Sequence, residues 1–339
     1  MVSILRTVPW GVATSLIWLC AVRLVAAPKE QPASGALPTV QEMIAARTDA
    51  WGDAAMAQPN GASYDFFKDL LPPLRWVNAE FRHYPIVLSA PRAAVKSRLV
   101  SNGGGVNLEA NKKPMWTEQG VPISFEVGNP PEAFGGEQER LRDPEYLNGY
   151  LPIVTIRYQT KNATVSEEAF APTAESYAAL GTAMLRFSLG KEAAGAERVQ
   201  ARVGSKGALH VADNALLNAK EEALVAFSAG WKWDAERKVL VADLKRNESA
   251  ELAIFSKASP SSTRFNAGEF ERQKQACIQA WNRLLDDGTK LTVPESLVDD
   301  AYRALLIGTY MLAVNDRLNY SAGNAYAKLY EGECGDTLR

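Results

Sequence analysis

The feature that most constrains this 339-residue chain is a change of periodicity near residue 262. Between residues 76 and 260, short runs of β-branched and aromatic residues alternate with Gly, Asn, Asp or Pro, without helical spacing between them. Seven or more such runs predict an antiparallel β-sandwich and exclude a fold of alternating strands and helices. The predicted strands are 151–158, 164–170, 183–189, 198–203, 223–228, 238–244 and 250–255.

Two further segments complete the predicted sandwich. Trp231 to Trp233, a polar turn and the strand from Lys238 form a predicted hairpin. Residues 128–149 carry Gly, Pro and charge without a period, and this pattern predicts a long surface insertion.

Helical spacing begins within residues 261–289. Asn266 to Glu269 has the spacing of a capping box, apolar residues then recur every three or four positions, and Asp287-Gly288 supplies a stop. We therefore predict an amphipathic linker helix in this segment.

A second helix is predicted from residue 290 onwards. Thr292 to Glu295 repeats the capping-box spacing, with a proline in the opening turn. From Leu305 to Val314 the helix is apolar on nearly every side, and such a helix is buried between other helices. The sequence therefore predicts that residues 290–339 begin a helical domain.

The N-terminus predicts export. Residues 1–27 contain one early charge, Arg6, the apolar segment Trp10 to Val22 and small residues at a cleavage position, which is the layout of a signal peptide. We expect a periplasmic or secreted protein without membrane association after cleavage. The alternative is that the segment stays uncleaved as a membrane anchor. Residues 28–75 are predicted to be a linker with a short helix.

The composition excludes several classes of function. The 37 Lys and Arg nearly balance 39 Asp and Glu, so we expect no nucleic-acid partner. Two histidines and three cysteines without ligand spacing predict no metal site. We also expect no cofactor, because the Gly103–Gly105 run precedes no predicted helix. After signal cleavage, Cys277 and Cys334 could form a disulfide or remain separate thiols.

Several phrases of the chain resemble the six-hairpin glycosidase superfamily. They are Gly149 to Arg157 with Glu168 to Ala171, Trp233 to Leu240, Val293 to Leu306, Asn319 to Gly323 and Tyr330 to Asp336. The resemblance implies an antiparallel β-supersandwich (76–260), a linker helix and the first helical hairpin of an incomplete (α/α)6 toroid. It also implies that the chain is the N-terminal fragment of a longer protein.

The resemblance implies that a carbohydrate is the substrate. Glycoside hydrolysis usually needs two carboxylates across the scissile bond, and Glu331, Glu333 and Asp336 are the weak catalytic candidates. The alternative for these three residues is a solvated acidic loop or helix N-terminus.

The candidate sugar-binding residues are aromatic or amide side chains. Tyr320, Asn324 and Tyr330 lie near the acidic cluster, in what the resemblance makes a subsite wall. Trp116 lies in a polar, glycine-rich region of the sandwich, where its flat face could bind a sugar ring or pack in the core.

We therefore expect the N-terminal part of an exported glycoside hydrolase-like enzyme that acts on a poly- or oligosaccharide and is inactive as this fragment. Two alternatives stay open: a non-catalytic carbohydrate-binding or surface sandwich, and a phosphorylase of the same architecture. The sugar, the linkage and the oligomeric state stay open as well.

Overall fold

Strands dominate the computed structural model, which describes residues 40–59, 86–108, 120–193, 195–260, 265–314 and 317–318. The chain divides into two units, Met1–Pro72 and Pro73–Arg339. In the first unit, two short helices are described, α1 (Val40–Ala46) and α2 (Ala50–Met56). The side chain of Asp49 caps α2 by accepting a hydrogen bond from the Gly52 amide at 2.8 Å.

The second unit contains two antiparallel eight-stranded sheets. The first sheet runs in the order β1 (Ile86–Leu88), β2 (Ser97–Leu99), β3 (Gly105–Val106), β4 (Ile123–Val127), β10 (Glu197–Val203), β15 (Val239–Leu244) and β14 (Lys232–Asp234), with β5 (Glu132–Ala133) beside β4. The second runs in the order β11 (His210–Ala212), β12 (Ala215–Leu217), β13 (Glu222–Phe227), β16 (Ser249–Pro260), β9 (Thr182–Leu189), β8 (Thr164–Phe170), β7 (Leu151–Gln159) and β6 (Leu141–Leu147).

Three α-helices, a short 3-10 helix (Gln138–Arg140) and a small hairpin complete the described part of this unit. The α-helices and the hairpin are α3 (Glu175–Ala178), α4 (Glu269–Asp286), α5 (Ser296–Leu312) and the strands β17 (Ala313–Val314) and β18 (Arg317–Leu318). The predicted antiparallel β-sandwich is confirmed. The predicted toroid is not confirmed. After α4 the structure describes α5 and the β17–β18 hairpin, and residues 319–339 lie outside the described part.

The inner faces of the two sheets form one apolar core. In β4 the buried positions alternate with half-buried ones, as the two-residue period of a strand requires. Phe125 of β4 meets Phe187 of β9 edge to face, with ring centroids 4.9 Å apart. Trp231 directly precedes β14 of the first sheet, and its ring centroid lies 6.2 Å from that of Phe187. Aromatic side chains of both sheets therefore pack against one another.

The outer face of the second sheet is also buried, because α4 packs on it. Phe170 of β8 meets Phe270 of α4 at 5.1 Å, and Trp281 of α4 meets Tyr310 of α5 at 6.4 Å. Since both of its faces are covered, β7 is buried at nearly every position from Leu151 to Tyr158.

Charged side chains hold α4 to the sheet. Arg186 of β9 donates from Nε to Glu251 at 3.0 Å and also pairs with Glu271 of α4. Its guanidinium lies 4.0 Å from the centre of the Phe270 ring. Lys274 of α4 pairs with Glu168 of β8. The helix is therefore fixed by apolar burial at its centre and by ion pairs beside it.

Segment 128–149 is largely exposed, as predicted, but it is not a loop without regular structure, because it contains β5 and β6. Pro144 made the strand β6 hard to predict from the sequence. It lies inside β6, where the pairing with β7 shifts register between Arg142 and Glu145. Proline is tolerated at such an irregularity because no ladder hydrogen bond is required there.

Both predicted capping boxes are wrong. The N-cap of α4 is Gly268, with φ of 73°, and no side chain caps the helix. Glu269 instead bonds Arg272, Gln273 and the hydroxyl of Tyr177. At α5 the N-cap Glu295 is likewise without a side-chain bond. At the α4 terminus, bonds within the helix and one tertiary partner, Tyr177, thus replace the capping bonds that the spacing predicted.

The helix predicted to be apolar and enclosed is only partly buried. Ile307 and Met311 of α5 pack against α4 and the sheet, whereas Leu297 and Leu305 are 64% and 71% exposed. Ala313 and Val314, predicted to continue the helix, form β17 instead.

Replacing Phe270 tests the docking of α4. We expect Phe270→Ala to lower the free energy of unfolding by about 3–5 kcal/mol, because a fully buried ring is lost. Urea titration followed by tryptophan fluorescence measures the change. The control Leu305→Ala should change stability by less than about 0.5 kcal/mol, since that side chain is mostly exposed. Equal effects of the two variants would contradict the packing of α4 on the sheet.

Candidate functional site

All the predicted site residues lie outside the described part of the chain. Trp116 belongs to residues 109–119, and the others belong to residues 319–339. The latter are Tyr320, Asn324, Tyr330, Glu331, Glu333 and Asp336. Their roles stay predictions, as does the signal peptide in residues 1–27.

Of the two cysteines left open by the sequence, Cys277 is described and is a free thiol in α4. Burial raises its pKa to about 12, so the thiol stays protonated at neutral pH and is a poor nucleophile. Cys334 lies outside the described residues.

The described residues do form a polar pocket of about 340 Å³ where the sandwich, α4 and α5 meet. We call it the junction pocket. Its walls come from the residue before β7, the end of α4, the 289–292 link and the first half of α5. The polar residues that line it include Tyr150, Asn282, Thr289, Thr292, Tyr302 and Arg303.

A tight turn places Tyr150 at this pocket. Asn148 and Gly149 both have positive φ, 56° and 80°, as a hairpin turn between β6 and β7 requires. The positive φ at Gly149 favours glycine at this position. A Cβ on Gly149 would lie 2.6 Å from Oδ2 of Asp300, so the Asp300 side chain would have to move to admit a larger residue.

Three contacts hold the two tyrosines of the pocket, Tyr150 and Tyr302, in place. The guanidinium of Arg303 lies 5.0 Å from the ring centre of Tyr150. The hydroxyl of Tyr150 donates to Oδ1 of Asn282 at 3.4 Å, a long hydrogen bond. The hydroxyl of Tyr302 donates to the carbonyl of Thr289 at 3.2 Å. Side chains from segments far apart in sequence are thus brought together by tertiary packing.

Charges at the pocket are balanced in pairs. Lys290 lies 3.0 Å from Asp286, and Arg303 lies 3.7 Å from Asp300. Each cation is therefore next to a carboxylate, and the pocket carries no net charge from these four groups.

A second unusual group, Glu167 of β8, lies inside the sandwich core. Its side chain is fully buried, and neither carboxylate oxygen has a hydrogen-bond partner among the described residues. A Cβ on Gly103, in the β2–β3 turn, would lie 2.3 Å from Oε2 of Glu167. Burial raises the pKa of this carboxyl well above its usual range, which favours the neutral form.

Sequence reasoning missed Glu167, although a signal existed. Along β8, Val165, Glu167 and Ala169 occupy the positions that face the core. The two-residue period therefore places this carboxyl inside. A protonated acid without a partner cannot assist hydrolysis from the interior, so Glu167 is a structural feature.

Among the described residues, no group of three or more His, Cys, Asp or Glu could hold a metal ion. The same part of the chain contains no helix that is long and apolar enough to span a membrane.

Comparison with known proteins adds little to this picture. No protein-family model matches the chain. No curated protein matches it either. Among solved structures, one similar chain is described as a kojibiose phosphorylase from the human microbiome, with 9% identity and a TM-score of 0.29. The match covers 68% of this chain and 36% of that protein, so the chain spans about a third of its length. At this TM-score the similarity supports no argument about function.

Replacing Glu167 tests its buried, neutral state. In the unfolded chain, the Glu167 carboxyl has a pKa of about 4.3. Its pKa is higher in the folded protein, which therefore binds an extra proton between the two values. The extra bound proton stabilises the folded state. This contribution to the free energy of unfolding is complete below about pH 4.3, and it falls by up to about 1.4 kcal/mol for each pH unit above that value.

We expect Glu167→Gln to remove this loss of stability with rising pH. Urea unfolding of both proteins between about pH 5 and pH 8 measures the difference in slope. The control Glu236→Gln, at an exposed turn, should keep the wild-type slope. Parallel slopes for wild type and Glu167→Gln would show that the carboxyl is not buried in the neutral form.

Proposed function

We propose that this chain forms the N-terminal sandwich and linker of an exported carbohydrate-active enzyme of the six-hairpin glycosidase type. The observation that carries the proposal is the order and packing of its elements. A two-sheet sandwich is followed by α4, which covers the outer face of the second sheet, and then by α5 with an exposed apolar face. This is the order that the sequence resemblance implies.

The exposed face of α5 supports a helical layer beyond the described residues. Leu297, Ala301 and Leu305 are four residues apart and exposed, so they lie on one side of the helix. Covering each leucine would contribute up to about 1.5–3 kcal/mol. A second layer of helices, as in a toroid, is the cover that we propose.

The substrate that we propose is a poly- or oligosaccharide. Glu331, Glu333 and Asp336 are the proposed sources of one catalytic carboxylate, with Tyr320 and Tyr330 beside them. Hydrolysis usually needs a second carboxylate on the other side of the bond. We propose that this second group lies in the same enzyme outside these 339 residues, and that the chain by itself is inactive.

Sequencing the gene beyond codon 339 is the first test. A reading frame that continues into paired amphipathic helices is expected. A frame without further helices would contradict the toroid and favour the non-catalytic binding protein.

The second test measures turnover by the protein encoded by the whole reading frame. We expect sugar release from an oligosaccharide panel, and no release by residues 1–339 alone. One of Glu331→Gln, Glu333→Gln and Asp336→Asn should lower kcat about 10²–10⁴-fold, the usual contribution of a general acid or base. The control Glu236→Gln should retain full turnover.

Repeating the assay with inorganic phosphate separates two chemistries. Release that depends on phosphate identifies a phosphorylase, whereas release in its absence identifies a hydrolase. Turnover by residues 1–339 alone, or unchanged kcat in all three carboxylate variants, would contradict the proposed roles.

A further inference from the structure

We propose that the junction pocket binds a small neutral carbohydrate, a mono- or disaccharide. This inference goes beyond the proposed function, because it assigns a binding site to Tyr150 and to residues between Asn282 and Leu306. It uses none of the predicted catalytic residues and needs no turnover. The size, charge and lining chemistry of the pocket support this assignment.

The size of the pocket limits the ligand to a small molecule. Its volume of about 340 Å³ is at the lower end of the ~300–1,000 Å³ found for ligand sites. Polar groups dominate its walls, with Leu285, Leu291 and Leu306 supplying apolar surface between them. A lipid or an extended peptide would need a longer or more apolar groove.

The charge of the pocket favours a neutral ligand. Lys290 and Arg303 each lie beside a carboxylate, Asp286 and Asp300 respectively. A phosphate or carboxylate ligand would have to compete with these acids for both cations. A neutral polyol would not have to displace these carboxylates, since it can hydrogen-bond to the charged pairs without separating them.

The lining supplies the hydrogen bonds that hydroxyl groups need. Asn282 accepts through Oδ1 from Tyr150, and its side-chain amide also carries two N–H donors. The hydroxyls of Thr289 and Thr292 both donate and accept. Donors and acceptors side by side suit a sugar, whose hydroxyls do both.

The aromatic walls supply the apolar surface that the C–H face of a sugar ring needs. Tyr150 and Tyr302 both line the pocket, the first from the β6–β7 turn and the second from α5. Each is anchored through its hydroxyl, to Asn282 and to the Thr289 carbonyl. Because both rings are held before a ligand arrives, binding costs less side-chain entropy.

Titration of residues 1–339 with glucose, galactose, mannose, maltose and cellobiose tests the inference. We expect saturable binding of at least one sugar by calorimetry, with amide chemical-shift changes at residues 289–306. Asn282→Ala and Tyr302→Phe should each weaken binding about 2- to 10-fold, the range for a neutral hydrogen bond.

Matched controls exclude indirect effects. Gln275→Ala removes an exposed amide from the same helix, and Tyr146→Phe removes a hydroxyl from a partly exposed ring outside the pocket. Both should retain wild-type affinity. If Asn282→Ala does not fold, Thr292→Val replaces it, because Thr292 is exposed and lies on the same wall.

Three results would overturn the inference. They are the absence of saturable binding by every sugar tested, binding that the pocket variants leave unchanged, and tighter binding of inorganic phosphate than of any sugar. Because the measured quantity is affinity and not turnover, these failures are distinct from a failure of the proposed enzymatic function.

Discussion

Burial of both faces of the second sheet is the constraint on which the rest of the structure depends. Its inner face meets the first sheet through Phe187, and its outer face meets α4 through Phe170. A sheet covered on both sides cannot show a strict polar–apolar alternation, and β7 does not. The position of α4 also decides where α5 begins, so the junction pocket is a consequence of the same packing.

Charged groups accommodate this double burial in two ways. On the outer face, Arg186 is surrounded by Glu251 and Glu271, so the charge that the helix covers is paired. On the inner face, Glu167 has no partner among the described residues, and burial raises its pKa well above the usual range. Pairing keeps an outer charge ionised, whereas isolation keeps an inner acid neutral.

The junction pocket shows why a candidate site of this kind is hard to predict. Tyr150, Asn282 and Tyr302 come from a turn and two helices, and no sequence motif connects them. The left-handed turn at Gly149 lies against Asp300 of α5 and brings Tyr150 to the pocket. A pattern within one segment reports which face that segment buries, but it does not report which segment covers the face.

The sequence by itself determined the sandwich class, the main strands between 151 and 260, and the linker helix. Periodicity is a local property that survives without tertiary contacts. Tertiary structure alone decided the strand pairing around Pro144 and the N-terminus of α4 at Gly268. Each of these depends on a partner distant in the chain: β7 for the irregular strand and Tyr177 for Glu269. Local spacing cannot encode such partners, because their energies arise only when distant segments meet.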